Sequence, residues 1–358
     1  MNRILHIAPM NYAGVPYSFY KMHLQCGDYS RIITLHKNPH EFPEDICLGL
    51  PLPSFPMAKK WRRKKVERIH SSPASSAPEF RPGNLLERLY FTLTDISRKN
   101  TIEQTIEQYR LNDFDIVHYD AGLDFFRNSS QAKKWKLAGK KIVCCYYGSD
   151  LRTRGIIREM DELSDLNITS EFDHLALKKD IHYLFYPYDI SELPMKIQNE
   201  DSCVRIVHSP SNRVYKGTEL ILSVIDKIKK ERKIEFLLLE NMPRSEVLRI
   251  KSTCDICIDQ VGGTMGGTGY GKAGLETLGM EIPTITNMTN EYNRWLPDNP
   301  FVVANNFDEL YDSLHRLIES PELRNQFGRK GKQWVISYHG YEAVNHQLYS
   351  LYREHGII

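Results

Sequence analysis

Short apolar runs punctuate the chain, each closed by glycine or a polar loop. Ile4–Ala8, Arg31–Leu35, Phe114–Tyr119 and Lys141–Tyr147 read as strands, and Leu166–Thr169 and Tyr183–Tyr186 as shorter ones. Between them, Leu86, Leu89, Tyr90, Leu93 and Ile96, then Ile102, Ile106 and Tyr109, recur at helical spacing and predict a helix over 85–109. A helix end is expected at Lys133–Gly139, closed by the glycine. Strand–helix–strand succession of this kind predicts a parallel sheet flanked by helices.

A second succession starts at Val204. Val204–Ser211 is a strand and its exit, and Thr218–Lys230 a helix with Leu220, Ile221, Val224, Ile225 and Ile228 on one face. Ile234–Leu239, Ile256–Gln260, Thr284–Thr286 and Phe301–Ala304 read as strands. Glu246–Ser252 reads as a helix, and further helices start near Asp308 and Glu322. A last helix carries Tyr341, Val344, Leu348, Leu351 and Tyr352 as one stripe. Pro187–Asp201 is the natural linker. At 358 residues two domains are expected, over 1–190 and 200–340, with a cleft between the carboxyl ends of two sheets where α/β folds bind ligands.

Composition narrows the class. Hydrophobic residues make 41% and charged residues 26%, a globular profile, and the net charge of +2 gives no global nucleic-acid signature. No apolar run reaches membrane-spanning length, and the first residues, MNRILHIAPMNYAG, read as a strand rather than a targeting segment. Seven scattered cysteines, mostly in apolar runs, fit reduced thiols and a cytoplasmic location.

The chemistry gathers in VGGTMGGTGYGKAGLETLGMEIP, Val261–Pro283. An apolar strand, a glycine-dense loop and a helix turn backbone N–H groups toward an anion, and glycine lets a ligand approach the backbone closely. Glu276, in the second turn of that helix, leans back toward the loop and suits the hydroxyls of a ribose. The stretch reads as a nucleotide-diphosphate site. Arg213 and Lys216 lie at the exit of the Val204 strand, where cations can stabilise charge developing on a phosphate leaving group. Asp113-Phe114-Asp115 leads straight into a strand and reads as a turn, and Cys254 and Cys257 read as packed thiols. The thirteen histidines show no paired ligand spacing, so no metal is expected. The loop does not match the dinucleotide fingerprint after a first strand, which argues against a dehydrogenase.

HSPSNRxxKGT, CDICIDQ, GYGKAGLE and IPTIT, with DIVH and YYGSD in the first half, together resemble the retaining GT-B glycosyltransferases of the large "group 1" family, family 4-like. The resemblance implies an α/β fold of two Rossmann-like domains facing each other across a cleft. The amino-terminal domain would be on the acceptor side and the carboxyl-terminal one on the donor side, with the final helix, 341–358, packing back on the first. It implies a metal-independent, retaining hexosyltransferase-type enzyme with no permanently bound cofactor. Its co-substrate would be a UDP- or GDP-type sugar, and its acceptor a glycan, glycolipid or other hydroxyl compound in surface polysaccharide or glycoconjugate synthesis. By resemblance Arg213 and Lys216 hold the diphosphate, Glu276 holds the ribose, and Gly267, Thr268, Gly269, Tyr270, Gly271 and Gly14 approach the donor sugar and phosphate. His118, Asp150 and Tyr147 are the acceptor-side candidates. The chain departs from the family at three places. Ser211 stands where the arginine usually lies, Thr268 where the first glutamate of Glu-x7-Glu lies, and Tyr147 where a histidine precedes the GSD-like turn. These departures leave open a sugar-nucleotide epimerase of the same fold, or a catalytically silent glycan-binding or scaffold protein.

One charge run stands apart. Lys59–His70, KKWRRKKVERIH, sets Trp61 among lysines and arginines, a composition suited to an anionic membrane surface. A peripheral position on the inner face of a membrane is therefore expected, without nucleic acid as partner.

Overall fold

The computed structural model describes residues 1–38, 42–52, 76–80, 82–198, 203–262 and 269–358. The basic run Lys59–His70 and the loop residues Gly267 and Thr268 lie outside the described residues. The chain divides into two units: Met1–Pro187 together with Val344–Ile358, and Tyr188–Ala343.

Unit 1 is built on seven parallel strands: β1 (Arg3–Ala8), β2 (Tyr29–Thr34), β3 (Ile46–Cys47), β4 (Ile116–Asp120), β5 (Lys141–Tyr146), β6 (Leu166–Thr169) and β7 (Ile181–Tyr183). Their order is β3-β2-β1-β4-β5-β6-β7. The direction of winding changes between β1 and β4, paired through Ile4↔Ile116 to Ile7↔Tyr119, so the exits of these strands border the crevice where such sheets take ligands. The near-continuous apolar runs of β1 and β5 follow from burial on both faces. The segment after β1 forms the helix Val15–Gln25, to which the sequence pattern assigned no element. Gly14 starts it at φ 74°, Pro16 sits in its first turn, and Phe19, Met22 and His23 bury one face. The last helix, Tyr341–Glu354, gives Val344, Leu348 and Tyr352 to the unit 1 interior, and Gln347 donates to the Tyr183 carbonyl at 3.2 Å.

Unit 2 has five parallel strands in the order β12-β11-β10-β8-β9. They are β8 (Val204–His208), β9 (Ile234–Leu238), β10 (Ile256–Gln260), β11 (Thr284–Thr286) and β12 (Val302–Val303). Ile221, Val224, Ile225 and Ile228 of the helix Thr218–Glu231 pack with Ile206, Ile256, Ile258 and Leu314 in one core. Cys254 and Cys257 are packed in a second core; burial pushes their thiols up, to about 12 and about 11. The helix Lys272–Gly279 is pressed against Pro321–His339. A Cβ at Gly331 would stand 2.5 Å from Leu278, and one at Gly328 would stand 2.2 Å from the carbonyl oxygen of Glu281. In unit 2 the winding reverses between β8 and β10, so the two stretches singled out for chemistry leave the sheet side by side.

Candidate functional site

At the exit of β8, His208 is buried, with Nδ1 2.8 Å from the Ile258 carbonyl and Nε2 2.9 Å from the Thr218 hydroxyl. Burial pulls its imidazole down to about 4, so it is a neutral strut between β8, β10 and the following helix. Beyond it, Asn212 caps a single helical turn, Arg213–Lys216, by accepting from the N–H groups of Val214 and Tyr215. Gly217 then turns the chain at φ 64°.

That turn sends its two cations to different places. Lys216 Nζ lies 2.7 Å from Asp259 Oδ1 and 2.9 Å from Gln260 Oε1, at the end of β10. The other Asp259 oxygen accepts the Gly271 N–H at 2.7 Å. Burial pushes the Asp259 carboxyl up, but Lys216 overcomes this and holds it below the usual carboxylate range. Gln260 reaches the Gly269 carbonyl and so ties together the two ends of the glycine loop. Arg213 instead bonds Glu219 at 2.8 Å and Glu240 at 2.8 Å, on the exposed side of the turn.

Glu276 is buried one turn into the helix Lys272–Gly279. Its Oε2 takes Lys251 Nζ at 2.7 Å and its Oε1 takes Arg244 at 3.3 Å. Burial pushes this carboxyl up, and Lys251 and Arg244 together hold it below its ordinary value. Arg244 also reaches the Tyr188 hydroxyl at 3.4 Å. Lys272, at the helix start, lies 5.9 Å from the Tyr188 ring centroid. Burial and then Arg244 pull its ammonium down to about 8.

The charge inventory is uneven. Two cations, Arg213 and Lys216, face three carboxylates, Glu219, Glu240 and Asp259. Three cations, Arg244, Lys251 and Lys272, act on the buried carboxylate of Glu276, and Glu192 adds a second carboxylate beside Lys272. The excess of positive charge therefore lies at the start of the helix that follows the glycine loop, where backbone N–H groups also favour an anion.

Residues 271–350 match the family described as Glycosyl transferase-like. No curated protein matches the chain in sequence. Among solved structures, the catalytic domain of Starch Synthase IV from Arabidopsis thaliana, bound to ADP and acarbose, superposes with a TM-score of 0.58. It is 12% identical and covers 99% of each chain. Anabaena Alr3699/HepE in complex with UDP follows at 0.56 and 10% identity, over 99% of this chain and 100% of its own. An alpha-glucosyltransferase in complex with UDP and a 13-mer DNA gives 0.56 at 10%, over 98% and 99%. The chain has the GT-B fold of these structures.

Within this glycosyltransferase-like fold, unit 2 brings Lys216, Gly269, Gly271 and Glu276 to one end of one sheet. Tyr270, expected near a donor sugar, is occupied in packing. Its ring lies 4.7 Å from Phe301, at 20° between planes, and its hydroxyl is 3.0 Å from His339 Nε2. Sequence reading passed over Asp259, Gln260, Lys251 and Lys272. The motif spacing marks Lys216 and Glu276 but carries no sign of their partners, which come from β10 and from the helix Arg244–Lys251.

In unit 1, Gly14 is a buried turn glycine at φ 74°. His118 lies inside the core, 1% exposed. Its Nε2 meets the Tyr352 hydroxyl, its Nδ1 lies 3.6 Å from Cys145 Sγ, and its ring centroid is 4.7 Å from that of His6. Burial and then His23 hold its imidazole well below the ordinary value. Asp150 accepts from the N–H groups of Tyr147, Gly148 and Leu151 at 2.9, 2.8 and 2.7 Å, so its carboxylate shapes the turn after β5. The Tyr147 ring stacks on Phe19 at 5.9 Å. Asp120, unmarked by any motif, ends β4 with an Oδ1 that has no hydrogen-bond partner among the described residues. Burial and then Asp150 push its carboxyl well above the usual range.

Proposed function

We propose that this protein is a retaining glycosyltransferase that takes a nucleotide-diphosphate sugar in unit 2 and a hydroxyl acceptor in unit 1. The observation that carries the reading is the positive excess around Glu276, at the start of the helix that closes the glycine loop. A nucleoside diphosphate brings the charge that this excess lacks. Lys272 and Arg244 meet the phosphates, and Lys216 holds the Asp259–Gly271 link that fixes the loop end. A carboxylate has about four lone-pair positions, so Glu276 can accept ribose hydroxyls beside its bonds to Lys251 and Arg244. Arg213 has its guanidinium engaged by two carboxylates and contributes little to the diphosphate.

In the reaction, the acceptor oxygen bonds to the anomeric carbon as the bond from that carbon to the diphosphate oxygen breaks. The acceptor proton passes to the departing diphosphate on the same face, which accounts for retention without a protein nucleophile. Cations preorganised at the leaving phosphates favour this step because charge grows there in the transition state. On the acceptor side, Asp120 and Tyr147 at the exits of β4 and β5 are the groups assigned to hydroxyl binding, and a glycan or glycolipid supplies the hydroxyl.

A thermal-shift screen against UDP, GDP, ADP and their sugars tests the reading. A ligand at a hundred times its dissociation constant adds about 2.7 kcal/mol to stability. A rise in melting temperature with one nucleotide, lost in Lys272→Ala, is expected. No shift with any nucleotide would overturn the proposal.

A further inference from the structure

Asp120, at the end of β4, is followed by a turn in which Ala121 and Gly122 both stand at φ 57°. The Gly122 N–H closes this turn on the Tyr119 carbonyl at 3.0 Å. Alanine rarely adopts such left-handed backbone, and it persists only where the surroundings hold it. Two side chains do so. A Cβ at Gly122 would stand 2.5 Å from the Tyr146 hydroxyl, and Arg154 donates through Nη2 to the Ala121 carbonyl. Arg154 is delivered by a single π-helical turn, Asp150–Arg154, in which the Gly155 N–H reaches back to the Asp150 carbonyl at 2.8 Å. Such turns are rare and recur at functional sites. This one is fixed at both ends. Asp150 gathers the N–H groups at its start, and beyond its end the Ile156 N–H donates to the Pro78 carbonyl at 2.9 Å.

We propose that Arg154 is a positioning residue for the acceptor: it fixes the turn that presents Asp120 and supplies the charge that favours the ionised form of this carboxylate. The inference rests on the reading of unit 1 as the acceptor side. An ionised Asp120 accepts a hydrogen bond from the acceptor hydroxyl, and such a charge-assisted bond is stronger than one to a neutral acid. Three polar atoms around the turn are buried without a hydrogen-bond partner among the described residues: Asp120 Oδ1, the Tyr146 hydroxyl and Arg154 Nη1. Asp120 faces Asp150 and Arg154 from the π-helical turn, and Cys145 and Tyr147 from β5 and its exit. Arg154 is the cation of this group. Arg152, on the same turn, is taken up by Glu171 and Asp173. Burial and then Asp150 push the Asp120 carboxyl up, and Arg154 opposes them.

The test follows the Asp120 side-chain carboxyl by NMR against pH, in the full chain carrying isotopically labelled aspartate. The signal is identified by its loss in Asp120→Asn. Arg154→Gln and Arg154→Met both remove the charge, so one serves if the other does not fold. Either should raise the Asp120 midpoint by about one to three pH units. Arg154→Lys keeps the charge and should hold the midpoint within about half a unit. Release of nucleoside diphosphate from the nucleotide sugar found by the screen, with water as the acceptor, should follow the same titration. In Arg154→Gln it should fall by about tenfold or more near pH 7 and recover as the pH is raised. An unmoved midpoint in the glutamine or methionine variant would overturn the inference, as would a lysine variant that shifts as far as they do. A fall in turnover that is equal at every pH would also overturn it, because a turn damaged only in shape has no titration. A protein in which no nucleotide raises the melting temperature, but in which the midpoint still moves, would strike the donor reading and uphold the action of Arg154 on Asp120.

Discussion

Replacing Glu276 by glutamine removes one charge from a place that water does not reach. The Lys251 side chain is 1% exposed, with its Nζ 2.7 Å from the Glu276 carboxylate. Arg244, on the other oxygen at 3.3 Å, is 42% exposed and can be hydrated when its partner is gone. The cost therefore falls on Lys251, left as a buried charge. Breaking such a pair from one side costs about 3–5 kcal/mol. Glutamine keeps one carbonyl acceptor, so the lower end, about 3 kcal/mol, is expected. In a domain the size of unit 2 each kcal/mol moves the melting temperature by about 2–4 °C, so the unit 2 transition should fall by roughly 6–12 °C. Scanning calorimetry, with the emission of Trp295 and Trp334 as a second probe, reads it. A second variant separates the structural role from the proposed ribose contact. Lys251→Met with Glu276→Leu removes both charges at once, and an apolar pair often matches a buried ion pair in stability. This variant should recover most of the melting temperature and none of the response to UDP or GDP. A Glu276→Gln protein within about 1 kcal/mol of wild type would refute the account of Lys251. Wild-type nucleotide affinity in the apolar pair would remove Glu276 from the donor site.

The remaining expectations concern the cations, the helix contact and acid. Lys272→Ala should lower kcat/KM by about two to three orders of magnitude, as for other charge-stabilising groups, whereas Arg213→Ala should cost less than about tenfold, because Glu219 and Glu240 already engage it. Steady-state kinetics with the nucleotide sugar found by the screen compares the two, and equal losses would contradict the charge inventory. Since Lys272 loses its proton near pH 8 in the free protein, nucleotide affinity should weaken as the pH rises past about 8. Titration calorimetry at several pH values checks this, and the dependence should vanish in Lys272→Arg. Gly328→Ala would set a Cβ 2.2 Å from the Glu281 carbonyl oxygen. That contact is with backbone and cannot swing aside, so a loss of about 1–3 kcal/mol or more is expected from the urea midpoint. Acid should destabilise both units. His208 titrates near 4 when folded against an ordinary 6.5, so the unfolded chain takes up the proton first as pH falls. Stability is intact above about 6.5 and drains by about 3 kcal/mol at most on the way to about 4. His6, His23 and His118, all lowered first by burial, act in the same direction in unit 1. Urea midpoints that stay level between about pH 7 and 4.5 would contradict the buried neutral histidines.

Much of this architecture is local in origin and was legible along the chain. Parallel strands covered on both faces read as unbroken apolar runs, which is why β1, β5, β8 and β10 stand out. Lys216, Gly271 and Glu276 were found because a strand exit, a glycine turn and a helix start are features of consecutive residues. The helix Val15–Gln25 was missed because its buried positions, Phe19, Met22 and His23, are spread among tyrosines and serine that blur the period. Which charges face each other was not legible at all. With 47 basic and 45 acidic side chains, nothing in the spacing says that Lys251 meets Glu276, that Asp259 meets Lys216, or that Arg213 turns outward. Those pairings follow from the order of strands in the sheet, which sets β10 beside β8 and lays the helix Arg244–Lys251 against the helix Lys272–Gly279. The helix Leu85–Gln108 shows the same division. Its period fixes, from sequence alone, that Leu86, Leu89, Leu93 and Ile96 share one face. Whether that face meets a sheet or solvent depends on where the helix is anchored, and Ile102 and Ile106 anchor it by the other side.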